Sequence, residues 1–281
     1  MAASRSLILL TGASGFVGRQ ILRALQVRGR AVRVVVRDAK KVQNAKESAV
    51  EVVTSPDLFA ENAAWWADVC RDIDTVIHAA WYVEPGQYLQ SSKNHECFLG
   101  TLRLAEGAER ASVRRLVGIG TCFEYDLNFG YLSIATPLKP STPYAKAKAD
   151  TFAALSKCLR ESGIEFAWCR LFYLFGEGED ARRLVPLLHA KLGVGEPVEL
   201  SSGTQIRDYL DVRDAGRMIA DAALGSIQGP VNICSGKPIT VREIAEKIAD
   251  EYGRRDLLRF GARLDHDPPC VVGVGDVVGG G

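Results

Sequence analysis

The sequence predicts a doubly wound α/β fold, a parallel sheet covered by helices, with a smaller C-terminal lobe. Three observations carry that prediction. Short β-branched runs alternate with helical periods, the runs are apolar on both faces, and a glycine-spaced turn joins the first run to the first helical stretch. Strands without polar alternation belong in a parallel sheet buried on both sides, and strand–helix–strand order winds such a sheet right-handed.

The elements follow in chain order. Residues 7–10 form the first strand, and Phe16, Val17, Ile21, Leu22 and Leu25 recur at helical spacing behind the turn. Runs 31–36, 50–53 and 75–80 are further strands, and Leu99, Leu102, Ala105 and Ala108 mark a helix before the strand at 115–121. Ser141-Thr142-Pro143 offers hydroxyl N-caps and a proline suited to the first helical position, so a helix begins at Tyr144 and leads to the strand at 166–172. Thr240-Val241-Arg242-Glu243 has capping-box spacing and opens a helix reaching Tyr252. Residues 1–168 read as the main α/β domain, and 169–281 as mainly the smaller lobe, interleaved with the main sheet.

Composition narrows the function. A chain of 281 residues can bury one large core, and 35 Lys plus Arg against 34 Asp plus Glu leave no global field to attract nucleic acid or an anionic membrane. The apolar run 7–10 is too short to span a bilayer and no cleavage pattern follows it. Seven scattered cysteines without a C-x-x-C pair fit a reducing cytoplasm. His78, His95, His189 and His266 are too dispersed to ligate a metal, so none is expected. Trp65-Trp66 reads as core and lid packing, and Cys122, without a base nearby in sequence, as packing too.

Thr11-Gly12-Ala13-Ser14-Gly15-Phe16-Val17-Gly18 carries the chemistry of the first turn. Glycines at 12, 15 and 18 permit a tight turn and close approach of a pyrophosphate to the positive end of the following helix, the Rossmann arrangement; a strand before and a helix after favour this over a turn without a ligand. Ser14, Phe16 and Val17 then line the same cradle. At the end of the second strand an acid normally meets the ribose 2′-OH, but Val36 stands there and Arg37 follows, which favours NADP(H) with Arg37 on the 2′-phosphate. Asp38 leaves NAD(H) as the alternative.

Tyr144 and Lys148 are four residues apart and share a helix face. A free phenol titrates near pH ~10, and an adjacent ammonium stabilises the phenolate, which would make Tyr144 a general acid or base. Tyr-x-x-x-Lys alone also fits an ordinary amphipathic helix. Thr121 at the carboxyl end of a strand, where such sheets bind ligands, completes a set.

With these residues the chain resembles, over roughly residues 5 to 272, the extended short-chain dehydrogenase/reductases that act on nucleotide sugars as epimerases, dehydratases and reductases. The resemblance implies that Thr121 holds the substrate oxygen, Tyr144 is the acid/base, and Lys148 anchors the nicotinamide ribose. It also implies that Asp57 and Leu58 contact adenine, that Ala79 and Ala80 after His78 line the cofactor, and that Arg207 and Arg263 grip a diphosphate. A homodimer through helices 94–111 and 143–160 and a further helix beyond the tail 271–281 are family features, so the tail reads as shortened.

Departures from the pattern refine the expectation. Dehydratases of the family carry Asp and Glu after the threonine, where this chain has Cys122 and Phe123, which are expected to line the substrate instead; Glu124, on an extended segment, would point opposite Phe123. Cys97 replaces the usual Asn three residues before Gly100-Thr101, with Asn94 one turn away. The Asn expected before Gly176 is also missing, and Tyr173 lies in that run beside the substrate. Trp81 and Tyr82 add aromatic surface. The combination resembles reductases of nucleotide-activated 4-keto-6-deoxyhexoses, the CDP-abequose and paratose synthase group. The expected activity is NADPH-dependent reduction at C4 of a nucleotide sugar; a C4 epimerase with tightly bound NAD and a non-catalytic dinucleotide-binding regulator are the alternatives.

Overall fold

The computed structural model describes residues 7–45, 50–264 and 268–275. In chain order the elements begin β1 (Leu7–Thr11), α1 (Phe16–Val27), β2 (Val32–Val36), β3 (Val50–Thr54), α2 (Ala63–Val69), β4 (Ile73–His78), α3 (Lys93–Arg110) and β5 (Arg115–Thr121). They continue β6 (Tyr131–Leu132), α4 (Pro143–Glu161), β7 (Glu165–Leu171), β8 (Tyr173–Phe175), α5 (Leu184–Gly193), β9 (Val198–Glu199) and β10 (Ile206–Asp211). The last are α6 (Val212–Leu224), β11 (Gly229–Ile233), β12 (Pro238–Thr240), α7 (Val241–Tyr252), β13 (Leu258–Arg259) and β14 (Cys270–Gly273).

Seven parallel strands form the main sheet in the order β11-β7-β5-β4-β1-β2-β3. The expected α/β Rossmann fold is the observed one. Period-two alternation explains its strands: Ile8 and Leu10 enter one core cluster with Ile21, Leu25, Val212 and Ile219, while Leu9 enters the other with Trp66, Leu104, Leu155 and Trp168. Both clusters are apolar, so neither face of β1 tolerates a polar side chain; burying each leucine contributes about 1.5–3 kcal/mol. α1 and α6 pack together on one face, and α2, α3 and α4 form a row on the other.

Strand order reverses at β1, which pairs with β2 on one side and β4 on the other. The carboxyl ends of β1 and β4 therefore diverge into a crevice, the place where open α/β sheets bind ligands. β4 ends at His78, two residues before the expected Ala80, because the Ala80 amide leaves the ladder and donates to Thr11 Oγ1 at 3.2 Å. A second sheet runs β12-β10-β14-β6, with β8 also pairing β10, and α5 and α7 enclose a third apolar cluster beside it. The capping box at Thr240 forms as its spacing predicts: Glu243 N donates to Thr240 Oγ1 at 3.0 Å and Thr240 N to the Glu243 carboxylate at 2.7 Å.

Candidate active site

The turn after β1 is built for close approach. Gly12 has φ +74°, and a Cβ there would meet the Ala80 amide at 2.8 Å; a Cβ on Gly18 would overlap the Gly12 carbonyl. Gly15 N donates to that carbonyl at 2.9 Å, and Arg19 donates to the carbonyls of Ser14 and Gly15, each at 3.2 Å. Gly15 caps α1 without a side-chain hydrogen bond, so among the described residues no cap meets the first-turn amides of Phe16, Val17 and Gly18, at the positive end of a 12-residue helix. An anionic diphosphate fits such a cradle. Arg19 escaped the sequence reading, although an arginine four residues after a cradle glycine is a visible signal.

Behind the turn lies a buried polar chain whose direction follows from counting donors. Thr101 Oγ1 gives its only proton to Cys97 O at 2.7 Å, so at 3.0 Å it accepts from His78 Nε2. His78 Nδ1 is then an acceptor and takes the Thr11 hydroxyl proton at 2.8 Å, while Thr11 Oγ1 accepts from Ala80 N. Burial, and secondarily the charge of Lys148, push the imidazole down to about 3. A neutral His78 of one tautomer therefore ties the cradle strand to the Ala79-Ala80 turn and to α3, a brace rather than a ligand. His95 is exposed, His189 is half-buried against the Tyr252 hydroxyl at 3.0 Å, and His266 lies outside the described residues; among the described residues no cluster capable of holding a metal occurs.

At the far end of the crevice Arg37 and Asp38 are exposed beyond β2. The Asp38 carboxylate accepts from Lys40 N at 2.9 Å, and Arg37 forms no ion pair among the described residues. Asp57 is exposed and accepts from Phe59 N at 3.0 Å, while Leu58 packs on the second core cluster.

The cap and proline ahead of Tyr144 act as expected: Thr142 Oγ1 accepts from Ala145 N at 3.2 Å and Pro143 opens α4. Tyr144 is 9% exposed and packs edge-on to Tyr88, ring centroids 4.9 Å apart. Burial raises its phenol well above the ordinary range, the neighbouring Tyr88 and Glu124 push the same way, and a hydrogen bond with Thr121 opposes them. The expected lowering by Lys148 is not found, because that ammonium points elsewhere. Lys148, 3% exposed, donates to Ile119 O at 2.6 Å and lies 3.7 Å from the centroid of the Trp81 ring. Burial lowers it to about 7, against the opposing charges of Glu124 and Cys97.

Glu124 corrects a further expectation. Cys122–Glu124 is a 3-10 turn, not an extended segment, and Thr121 caps it. The turn carries Glu124 inward to 0% exposure, where its carboxylate accepts from Thr121 N at 2.8 Å, Trp168 Nε1 at 3.0 Å and Arg170 Nε at 2.7 Å. Arg170 Nη1 donates to the Tyr125 hydroxyl at 3.0 Å, which passes its proton to Asn232 Oδ1 at 2.7 Å. The backbone of the candidate catalytic threonine is thus anchored to a buried ion pair. A signal existed: Gly118 and Gly120 lack side chains where a Cβ would overlap the Trp168 indole, and two glycines within one strand mark close approach by a bulky neighbour.

Beyond the 3-10 turn, Phe123 packs edge-on to Tyr173 at 6.1 Å, Tyr173 lies 5.8 Å from Tyr209, and the Arg207 guanidinium sits 5.2 Å from the Tyr173 ring. Arg207 is 2% exposed and donates to Ile206 O. Its neighbour Asp208 forms no pair with it but accepts from Ser235 N, Gly236 N and Gly273 N, closing the second sheet. Cys122 is buried among Tyr125, Leu132, Phe172 and Val271, and Arg263 is exposed in a turn where its amide donates to Leu200 O. Asn94 holds Trp81, accepting from Nε1 at 2.8 Å while its amide donates to Tyr88 O and Ser91 O. A groove of about 830 Å³ between α6, β12 and α7 lies elsewhere, with none of the candidate trio on its wall.

Fold and site together define a doubly wound dinucleotide-type α/β protein with a tyrosine and lysine at the sheet's carboxyl edge. The chain belongs to the NAD dependent epimerase/dehydratase family, whose model matches residues 8–234. It is 24% identical to a dTDP-6-deoxy-L-talose 4-dehydrogenase (NAD(+)) of Aggregatibacter actinomycetemcomitans over 87% of this chain and 90% of that one. With a dTDP-6-deoxy-L-talose 4-dehydrogenase (NAD(P)(+)) of Kitasatospora kifunensis it shares 28% identity over 88% and 79%. CDP-abequose synthase of Salmonella muenchen is more distant, 23% identical over 91% and 84%. DesIV, a dTDP-glucose 4,6-dehydratase from Streptomyces venezuelae with NAD bound, has the same fold, with a TM-score of 0.82 at 23% identity over 96% of this chain and 88% of that one. Among the described residues no helix is long and apolar enough to cross a membrane.

Proposed function

We propose that the protein reduces the C4 keto group of a nucleotide-activated 4-keto-6-deoxyhexose, using NADPH. The observation that carries this reading is the buried Tyr144, its phenol raised by burial, beside Thr121, with no carboxylate at positions 122 and 123. Glu124 is committed to Arg170 and the Thr121 amide, so elimination of water lacks the extra carboxylate it needs. The two talose dehydrogenases act at the same sugar carbon, which supports a C4 redox step here.

The dinucleotide supplies a hydride when bound, held by the amides of residues 16–18 and, at its 2′ end, by Arg37. Thr121 positions the keto oxygen, and Tyr144 gives it a proton as the C=O bond becomes CH–OH. Lys148, one helical turn on, would restore that proton. Trp81, Phe123 and Tyr173 supply apolar faces for the deoxysugar, and Arg207 with Arg263 the charge for its diphosphate. A homodimer remains part of the proposal.

The test incubates purified protein with NADPH and dTDP-, CDP-, GDP- and UDP-4-keto-6-deoxyhexoses. Net NADPH oxidation with a 4-hydroxy product is expected for at least one, and Tyr144→Phe should abolish turnover while NADPH still raises the melting temperature. No NADPH oxidation with any of the four rejects the reductase; C4 interconversion without net oxidation would make the protein an epimerase.

A further inference from the structure

The surroundings of Lys148 contain more than a catalytic pair requires. We infer that Trp81 and Trp168 form an indole cage that holds the Lys148 ammonium in place before any cofactor arrives, making both tryptophans positioning residues of the proposed site. Lys148 Nζ lies 3.7 Å from the Trp81 ring centroid and 5.8 Å from that of Trp168. Each indole donates its N–H to an oxygen: Trp81 to Asn94 Oδ1 at 2.8 Å, Trp168 to the Glu124 carboxylate at 3.0 Å. Such acceptors enrich the ring faces in electron density, and a ring face attracts a desolvated ammonium.

The backbone makes room for this arrangement. Gly118 and Gly120 present no side chain where Trp168 crosses β5, and Ile119 between them offers the carbonyl that accepts from Nζ at 2.6 Å. One strand thus supplies floor and acceptor, and rings from two other segments cover the charge.

Burial alone would favour the neutral amine, and the cage opposes burial. Lys148 is brought to about 7, apart from the neighbouring groups that burial displaces. His78 on β4 is pushed to about 3, Cys97 on α3 up to about 11, Cys122 and Tyr144 higher still, and Glu124 is ion-paired with Arg170 from β7. The part of a near-neutral indole signal that Lys148→Met removes therefore reports Lys148.

The experiment follows tryptophan emission of the full chain from pH 5.5 to 9, without substrate or cofactor. A transition near pH 7 is expected, absent in Lys148→Met. Trp81→Leu keeps the site dry but removes the ring, so the ammonium loses attraction and the transition seen by Trp168 moves down by about 0.5–1.5 pH units. A flat profile, a transition surviving in Lys148→Met, or an unmoved midpoint in Trp81→Leu overturns the cage. If Trp81→Leu does not fold by circular dichroism, Trp81→Phe decides, with a smaller downward shift expected and an unmoved midpoint refuting. The inference rests on the proposed reaction only for its purpose. A titrating protein that oxidises no NADPH keeps the cage and loses the reductase, whereas turnover with a flat emission profile loses the cage alone.

Discussion

Replacing Glu124 by Leu separates the buried ion pair from the chemistry it supports. The substitution removes three acceptor contacts at once and leaves Arg170, 1% exposed, with the Tyr125 hydroxyl and the faces of Tyr125 and Phe152 around its charge. Stranding one member of a buried pair costs about 3–5 kcal/mol, a figure that already contains much of the ~1–3 kcal/mol for the Thr121 amide left without an acceptor. Spread over a chain of this size, the loss lowers the melting temperature by roughly 6–20 °C. Glu124→Leu combined with Arg170→Met removes both charges, and well-packed apolar replacements of a buried pair are close to neutral, so most of the stability returns. Urea unfolding of the four proteins in a double-mutant cycle measures the coupling. The Thr121 amide still lacks its acceptor in the double variant, so turnover should remain low although the fold recovers. A single variant within about 0.5 kcal/mol of the parent, or strictly additive losses, would refute the argument.

Three other outcomes follow from the same geometry. Gly18→Ala forces a methyl into the Gly12 carbonyl, a clash of about 1–3 kcal/mol, so the NADPH dissociation constant measured by calorimetry should rise about 10- to 100-fold. Arg37→Glu should cost NADPH about 1.5–3 kcal/mol, roughly 10- to 100-fold in affinity, and leave NADH little changed; equal effects on both cofactors would remove Arg37 from the 2′-phosphate. For His78, ¹⁵N imidazole spectra should show one neutral Nε2–H tautomer down to about pH 4. Because the folded imidazole stays neutral to about 3 while the unfolded one protonates near ~6.5, this group leaves stability untouched above that value and withdraws it as pH falls between the two; a doubly protonated ring at pH 6 would contradict the donor count.

What could be read in advance was what local rules dictate. Both-face apolar runs specify a buried parallel strand wherever they occur, and Ile8, Leu9 and Leu10 divide between two clusters as that rule requires. Thr142-Pro143 and Thr240 to Glu243 carry their partners within four residues, so cap and box were legible. Glu124 was not, because its meaning depends on β5 lying beside β7 in a register that sets Gly118 against Trp168 and Gly120 against Arg170. No reading of 121–125 alone brings those two side chains to the carboxylate, and without them an extended conformation is the reasonable default.

The same limit explains why the shared helix face of Tyr144 and Lys148 is legible in the sequence while their electrostatic tuning is not. Four-residue spacing places them on one face of α4, but an ammonium stabilises a phenolate only when it faces it, and burial disfavours both charged forms at once. In this structure the lysine turns toward the Ile119 carbonyl and the Trp81 ring, and the phenol meets Tyr88 and Thr121 instead. A phenol kept protonated suits donation to an alkoxide, the direction of ketone reduction, whereas abstraction of a proton from an alcohol needs the phenolate first. The resting geometry thus loads the acid form, and the oxidative direction should require higher pH than the reductive one. Rate–pH profiles measured both ways on one sugar pair check this: coincident profiles would mean that Tyr144 is not the group exchanged.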